Sequence, residues 1–286
     1  MIMEPLIESW IVESSVLGSR ELWMVRGYRH PEDYVVVSPY IIGGSKVKQY
    51  DWRTLPAWIM GYVPCIGRAA PLLPGRSIVR VVDPAGVLKV RRSDIPQAVV
   101  ELIDIIAPEW AGVTGSWAVF AEKPLSDVDI LVYGDHEAIY KALLDLRADG
   151  RIESCMVEDR YLKVRDKLSW TSYSRLAPLK VLDSCYRGVP YTIKILRRLD
   201  REPCEGFIAD IGVYEGALRI IKTLEPHLTP ARYVVDIGGR EALMETWHTR
   251  YMELPGGLYI GRLKLFDDRG VTLCSPDIVG GLEGPL

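Results

Sequence analysis

Residues 127–134, DVDILVYG, form a short apolar run that opens on two carboxylates. Its length and composition predict a buried strand over Val128–Tyr133, closed by Gly134. Residues two apart on a strand share a face, about 6–7 Å from one another. Asp127 and Asp129 therefore aim together while Val128 turns into the core. Two adjacent carboxylates raise each other's pKa unless positive charge stands between them. A divalent cation is the simplest source of that charge, and carboxylate oxygens favour Mg²⁺ or Mn²⁺. Mg²⁺ held this way usually shares its coordination with substrate phosphates. Upstream, a short strand beginning at Val113 runs into Gly115-Ser116. Glycine lets the backbone come close to a phosphate, the turn N–H and the Ser116 hydroxyl can donate to its oxygens, and a following helix end would add its dipole.

The rest of the chain divides around this region. Residues 1–92 read as β-rich. They contain a hairpin over 22–41 that turns at His30-Pro31-Glu32-Asp33, and strands at 77–82 and 86–91 about the turn Asp83–Gly86. Residues 1–20 give a weak amphipathic pattern suited to a short helix. An α/β core is expected over 93–202. Ser93 and Pro96 open a helix with Ile95, Val99, Leu102, Ile103 and Ile106 at helical spacing, and Asp135 caps another over 136–148. A helix across 156–168 and two strands within 179–198, joined near Arg187-Gly188, complete it. Residues 203–286 are again β-rich, with turns every 8–12 residues that predict a small barrel or sandwich.

At 286 residues the chain can hold two or three domains. Its net charge of -3 argues against a surface that tracks long nucleic acid. No apolar run approaches the ~18 residues of a membrane span. The opening MIMEPLIESW has early acids and no basic region, so no secretory leader is expected. Five scattered cysteines without a C-x-x-C pair predict reduced thiols in a cytoplasmic protein. Asn is absent and Gln occurs twice, a depletion of thermolabile amides that suits a thermophile.

TGS (114–116), a ten-residue spacer and DVDILVYG (127–134) together resemble the signature of the DNA polymerase beta-type nucleotidyltransferase superfamily. The outer parts, through VRGYRHP (25–31) and the β-rich tail, resemble archaeal predicted nucleotidyltransferases. The resemblance implies an α+β fold: a mixed sheet with helices on one side, flanked by the two β-rich modules. It implies that Asp127 and Asp129 ligate two Mg²⁺ (or Mn²⁺) ions and that Gly115 and Ser116 hold the β- and γ-phosphates of a nucleoside triphosphate. A nucleoside monophosphate would pass to an acceptor hydroxyl on RNA or another molecule. The family usually supplies a third acid from a later strand. Here YTIKIL (191–196) offers Thr192 and Lys194 instead. Asp183, from the preceding strand, is the candidate substitute, Glu153 a poorer one, and Lys194 a candidate phosphate ligand or a neutraliser of the aspartates. The gap also leaves open a protein that binds nucleotide or RNA without chemistry.

Other polar groups carry less. His30 reads as structural, His136 as solvated, and His227 and His248 show no ligand spacing. Lys89, Arg91 and Arg92, and Lys194, Arg197, Arg198 and Arg201, are either solvated faces or a positive rim for phosphates. Trp52, Trp58 and Trp117 suit packing, and Trp117, next to Ser116, could also line a pocket.

Overall fold

The structure is a computed structural model that describes residues 6–47, 55–120 and 127–286; Trp52 lies outside these. Strands account for 43% of the chain and helices for 23%. The expected α+β, helix-flanked nucleotidyltransferase-type fold is therefore overturned. Among the described residues the strands form sheets of seven, six and six strands and one two-stranded pair, and the two longest helices, Gln97–Ile106 and His136–Ala148, pack on one face of one of them.

That sheet carries the Asp-x-Asp run. Its order is Ile152–Glu153, Asp183–Tyr186, Val189–Leu196, Val128–Tyr133, Trp110–Thr114, with Leu228–Thr229 also paired to Val189–Leu196. Val128–Tyr133 lies parallel to Val189–Leu196 and antiparallel to Trp110–Thr114. Val128, Ile130 and Val132 pack with Val99, Leu102, Ile103, Ile139 and Leu143 of the helices Gln97–Ile106 and His136–Ala148. The opposite face, at Leu131 and Leu196, packs on Trp10, Trp23, Val25 and Val35 of the N-terminal sheet. Cover on both faces explains why the run is continuously apolar rather than alternating. It also explains the overturned fold, because the second face is closed by another sheet.

The N-terminal sheet places Ile11–Ser14 between Ile78–Val82 and Glu21–Val25, so the predicted helix within 1–20 is in part a strand. The strand expected at 86–91 is instead the helix Pro84–Val90. Asp83 accepts from the Ala85 and Gly86 N–H groups, and Pro84 stands at the first helical position, an arrangement suited to starting a helix. The helix expected from Ser93 begins only at Gln97, after Pro96. The one across 156–168 is helical over Val157–Leu162 and continues as turns. The C-terminal strands close into a barrel. Ala209–Glu225, Ala231–Ile237, Glu241–Thr246, Val271–Ser275 and Gly257–Asp268 follow one another, and the first pairs with the last. Closure removes the exposed edges.

The cysteines depart from expectation. Cys65–Cys204 and Cys155–Cys185 are disulfides with Cα atoms 5.2 and 5.8 Å apart, and Cys274 is free and buried. Spacing along the chain could not reveal pairs 139 and 30 residues apart. Reduction under non-denaturing conditions is expected to lower stability by about 2–4 kcal/mol, read from the urea midpoint with and without a phosphine reductant.

Candidate functional site

The sheet register sets four polar residues in one row across four strands. Asp129 is opposite Thr114 on one side and Thr192 on the other, and Thr192 is opposite Asp183. The row lies on the face that meets the N-terminal sheet. Asp127 comes just before the strand and shares that face with Asp129.

Gly115 follows Thr114 with φ +66, in the left-handed region. A Cβ there would fall 2.0 Å from Asp129 Oδ2, so this position admits no side chain while Asp129 stands where it does. Ser116 is buried, and its Oγ accepts a hydrogen bond from Lys46 Nζ at 2.8 Å and meets the Tyr40 hydroxyl at 3.2 Å. Lys46 and Tyr40 come from the strands Ser45–Lys46 and Tyr34–Ile42 of the N-terminal sheet. The helix after Gly115, Ser116–Val119, has four residues, too short to supply the expected dipole.

Asp129 is half-buried, and loss of water around it is the main reason its pKa is pushed up to about 7. The charge of Asp127 adds to the rise, and Lys194, Lys46 and Lys163 oppose it. Lys163 Nζ approaches Asp127 Oδ1 at 3.8 Å from an exposed position.

Lys194 is not directed outward to phosphate. Its Nζ donates to Glu8 Oε1 at 2.6 Å and to Ser9 Oγ at 2.8 Å, and Glu8 is 1% exposed. Burial alone would raise the Glu8 pKa. Lys194, Arg26 at 3.6 Å and the Gly27 N–H at 2.7 Å outweigh it and hold the carboxyl at about 2.

Asp183 reaches the site only through Thr192. Thr192 Oγ1 lies 3.2 Å from Asp127 Oδ2 and 3.1 Å from Asp183 Oδ1, and its one proton serves either. On its other side Asp183 is ion-paired with the buried Arg160 at 2.8 Å. Arg160 also donates to the carbonyls of Ser184 and Tyr191. Asp183 thus sits two strands from Asp129, roughly 10 Å across the sheet, with its charge already neutralised. Its nearest acid is Asp127, whose carboxylate meets the same Thr192 hydroxyl. Glu153 lies further out, opposite Cys185 on the next strand.

Glu8, Arg160, Lys46 and Tyr40 were not legible as site residues, because each arrives from an element whose packing only the fold reveals. Trp117 is buried in the main core with the Arg91 guanidinium 5.9 Å from its ring, so it is not a stacking platform, whereas Trp58 is exposed. His30 is structural: its Nε2 bonds the Leu6 carbonyl at 2.9 Å and its Nδ1 accepts from the Val36 N–H. The basic clusters are largely ion-paired, Arg91 with Asp94, Arg92 with Asp104, Arg197 with Glu225, and Arg198 with Asp200 and Glu202.

Comparisons with known proteins find no family model, no curated protein and no solved structure that matches the chain. Among the described residues, no helix is long and apolar enough to cross a membrane.

Proposed function

We propose that the Gly115–Asp129 face binds a divalent cation with the phosphates of a nucleoside triphosphate and transfers the nucleoside monophosphate to an acceptor hydroxyl. One observation carries this reading. Two carboxylates share a face, and a glycine-serine turn passes so close to one of them that no Cβ fits between. Asp127 and Asp129 suit one Mg²⁺ or Mn²⁺ by their all-oxygen donor set. When bound, that cation supplies neutralisation of charge on the reacting phosphoryl group. Ser116 Oγ and Lys46 Nζ, already bonded to each other, can turn their donors to phosphate oxygens, and exposed Lys163 adds positive charge at the rim. The acceptor hydroxyl gives up its proton to solvent water as its oxygen forms a bond to the α-phosphorus, the α–β phosphoanhydride bond breaks, and pyrophosphate leaves. RNA is one acceptor compatible with this chemistry, and a small molecule or protein hydroxyl is another. A cytoplasmic location belongs to the same proposal, since disulfides are also found in intracellular proteins of hyperthermophiles.

The test is release of pyrophosphate and transfer of α-labelled nucleotide, with Mg²⁺, to RNA, small-molecule and protein acceptors. Asp127→Ala is expected to lower the rate by about 10²–10³-fold; activity that survives it would sink the proposal. Lys46→Ala is expected to raise KM for the triphosphate by about tenfold, the loss of one charge-assisted hydrogen bond, with kcat changed far less.

A second reading is favoured by a specific observation. Thr192 occupies the position on the neighbouring strand where a third acid would stand, and Arg160 neutralises Asp183. On that reading the site binds nucleotide without chemistry. Calorimetry with ATP separates the two: saturable binding without pyrophosphate release under any acceptor supports the second.

A further inference from the structure

A separate group of metal-ligating atoms lies at the far end of the Asp-x-Asp strand, about 20 Å from Asp127 by the rise of the intervening residues. His136 and Glu137 are the first two residues of the helix His136–Ala148, and His227 lies in the turn between the barrel strand Ala209–Glu225 and Leu228–Thr229. We propose that His136 Nδ1, the Glu137 carboxylate and His227 Nε2 form a site for one Zn²⁺-type transition-metal ion, with a fourth position open to solvent.

The geometry is the argument. His136 Nδ1 and His227 Nε2 are 3.0 Å apart, His136 Nδ1 and Glu137 Oε1 3.6 Å, and His227 Nε2 and Glu137 Oε1 3.9 Å. A triangle with these edges contains a point about 2 Å from all three atoms, which is the length of a zinc bond to nitrogen or carboxylate oxygen. No side chain has to move far for an ion to enter. Two imidazoles and a carboxylate suit zinc and its borderline neighbours rather than Mg²⁺. Among the described residues, these three form the one group of His, Cys, Asp or Glu so closely gathered.

A second observation concerns His227. It is 3% exposed, and its ring stacks on Tyr140 with centroids 4.4 Å apart and planes 12° from parallel. Tyr140 is fixed in turn by its hydroxyl bond to buried Glu253. The ring is thus oriented with Nε2 toward the cluster, while Nδ1 is buried without a partner among the described residues. A ring already oriented by its packing gives up little freedom when its Nε2 takes a metal. The helix N-terminus opposes a cation, but the Glu137 ligand and the Asp135 cap bring negative charge to the same turn. A bound ion would tie a helix on the central sheet to the turn that leaves the barrel's first strand.

The experiment uses untagged, full-length chain carrying Asp127→Asn and Asp129→Asn, so that the aspartate face cannot contribute. Zn²⁺ is titrated against a competing chelator, and Co²⁺ is added as a spectroscopic probe. One equivalent of Zn²⁺ is expected to bind and raise Tm, and Co²⁺ is expected to develop the visible absorption of a four- or five-coordinate site. His136→Gln and Glu137→Gln, both at partly or fully exposed positions, should each weaken Zn²⁺ at least about tenfold while the far-ultraviolet circular dichroism stays unchanged. Absence of Zn²⁺ binding, binding equally tight for Mg²⁺, or affinity unaffected by His136→Gln would each overturn the proposal.

Discussion

Replacing Glu8 with alanine is expected to destabilise the protein by about 3–5 kcal/mol, because it strands a buried cation. The Lys194 side chain is only 15% exposed, and the almost fully buried Glu8 Oε1 at 2.6 Å is its ionic partner. Arg26 and the Gly27 N–H lose the same carboxylate. The effect should reach the aspartates as well. Lys194 already acts electrostatically on Asp129, and without Glu8 that aspartate is the acid it can turn toward. Glu8→Ala is therefore expected to weaken Mg²⁺ binding as well as stability. The double variant Glu8→Met with Lys194→Met should recover much of the stability, since a buried ion pair replaced by apolar groups of similar size is often neutral. Urea denaturation of wild type, Glu8→Met, Lys194→Met and the double variant measures the coupling. Additive losses would show that the pair is not a unit.

Asp129→Asn should act in opposite directions on function and stability. Removing a carboxylate from the proposed cation site is expected to reduce transfer by about 10²–10³-fold. In chelator, the same change should stabilise the protein at pH 8 by about 2–4 kcal/mol. The sign follows from the folded-state pKa of about 7 against 3.8 for the free side chain. Between those values the folded protein holds a proton that the unfolded chain releases, so rising pH lowers stability across that window. His30 and His248 work the other way. Burial pushes each down to about 4, so the stability they contribute is present above about pH 6.5 and lost on acidification. Wild-type stability alone would mix these opposing terms. The difference between wild type and Asp129→Asn isolates the aspartate: small below about pH 4, growing between about pH 4 and 7, and favouring Asn at pH 8. A difference independent of pH would refute the assignment.

The local elements around the aspartates were legible because each follows from short-range pattern. The apolar run gave Val128–Tyr133, Asp135 gave the cap of His136–Ala148, and Arg187-Gly188 gave the turn between two strands. The fold was not legible, because an apolar strand states only that both faces are covered, not by what. A helix on one side and a second sheet on the other leave the same sequence signature. At 86–91 the sequence suggests a strand after a turn, whereas Asp83-Pro84 starts a helix there. The site was half legible. Gly115, Ser116, Asp127 and Asp129 are close in sequence and come together through one antiparallel pair. The partners of Lys194 and Asp183, and the meeting of His136 with His227, depend on contacts spanning 186, 23 and 91 residues, which no local pattern encodes.

The most direct test of the aspartate site is an anomalous-scattering map from crystals grown with Mn²⁺ and a non-hydrolysable nucleoside triphosphate. The account predicts a Mn²⁺ peak at about 2.1–2.4 Å from both Asp127 and Asp129, with phosphate oxygens beside Ser116 and Lys46 and no bond to Asp183. A triphosphate bound elsewhere, or aspartates bridged by Lys194 or Lys163 with no ion between them, would contradict it.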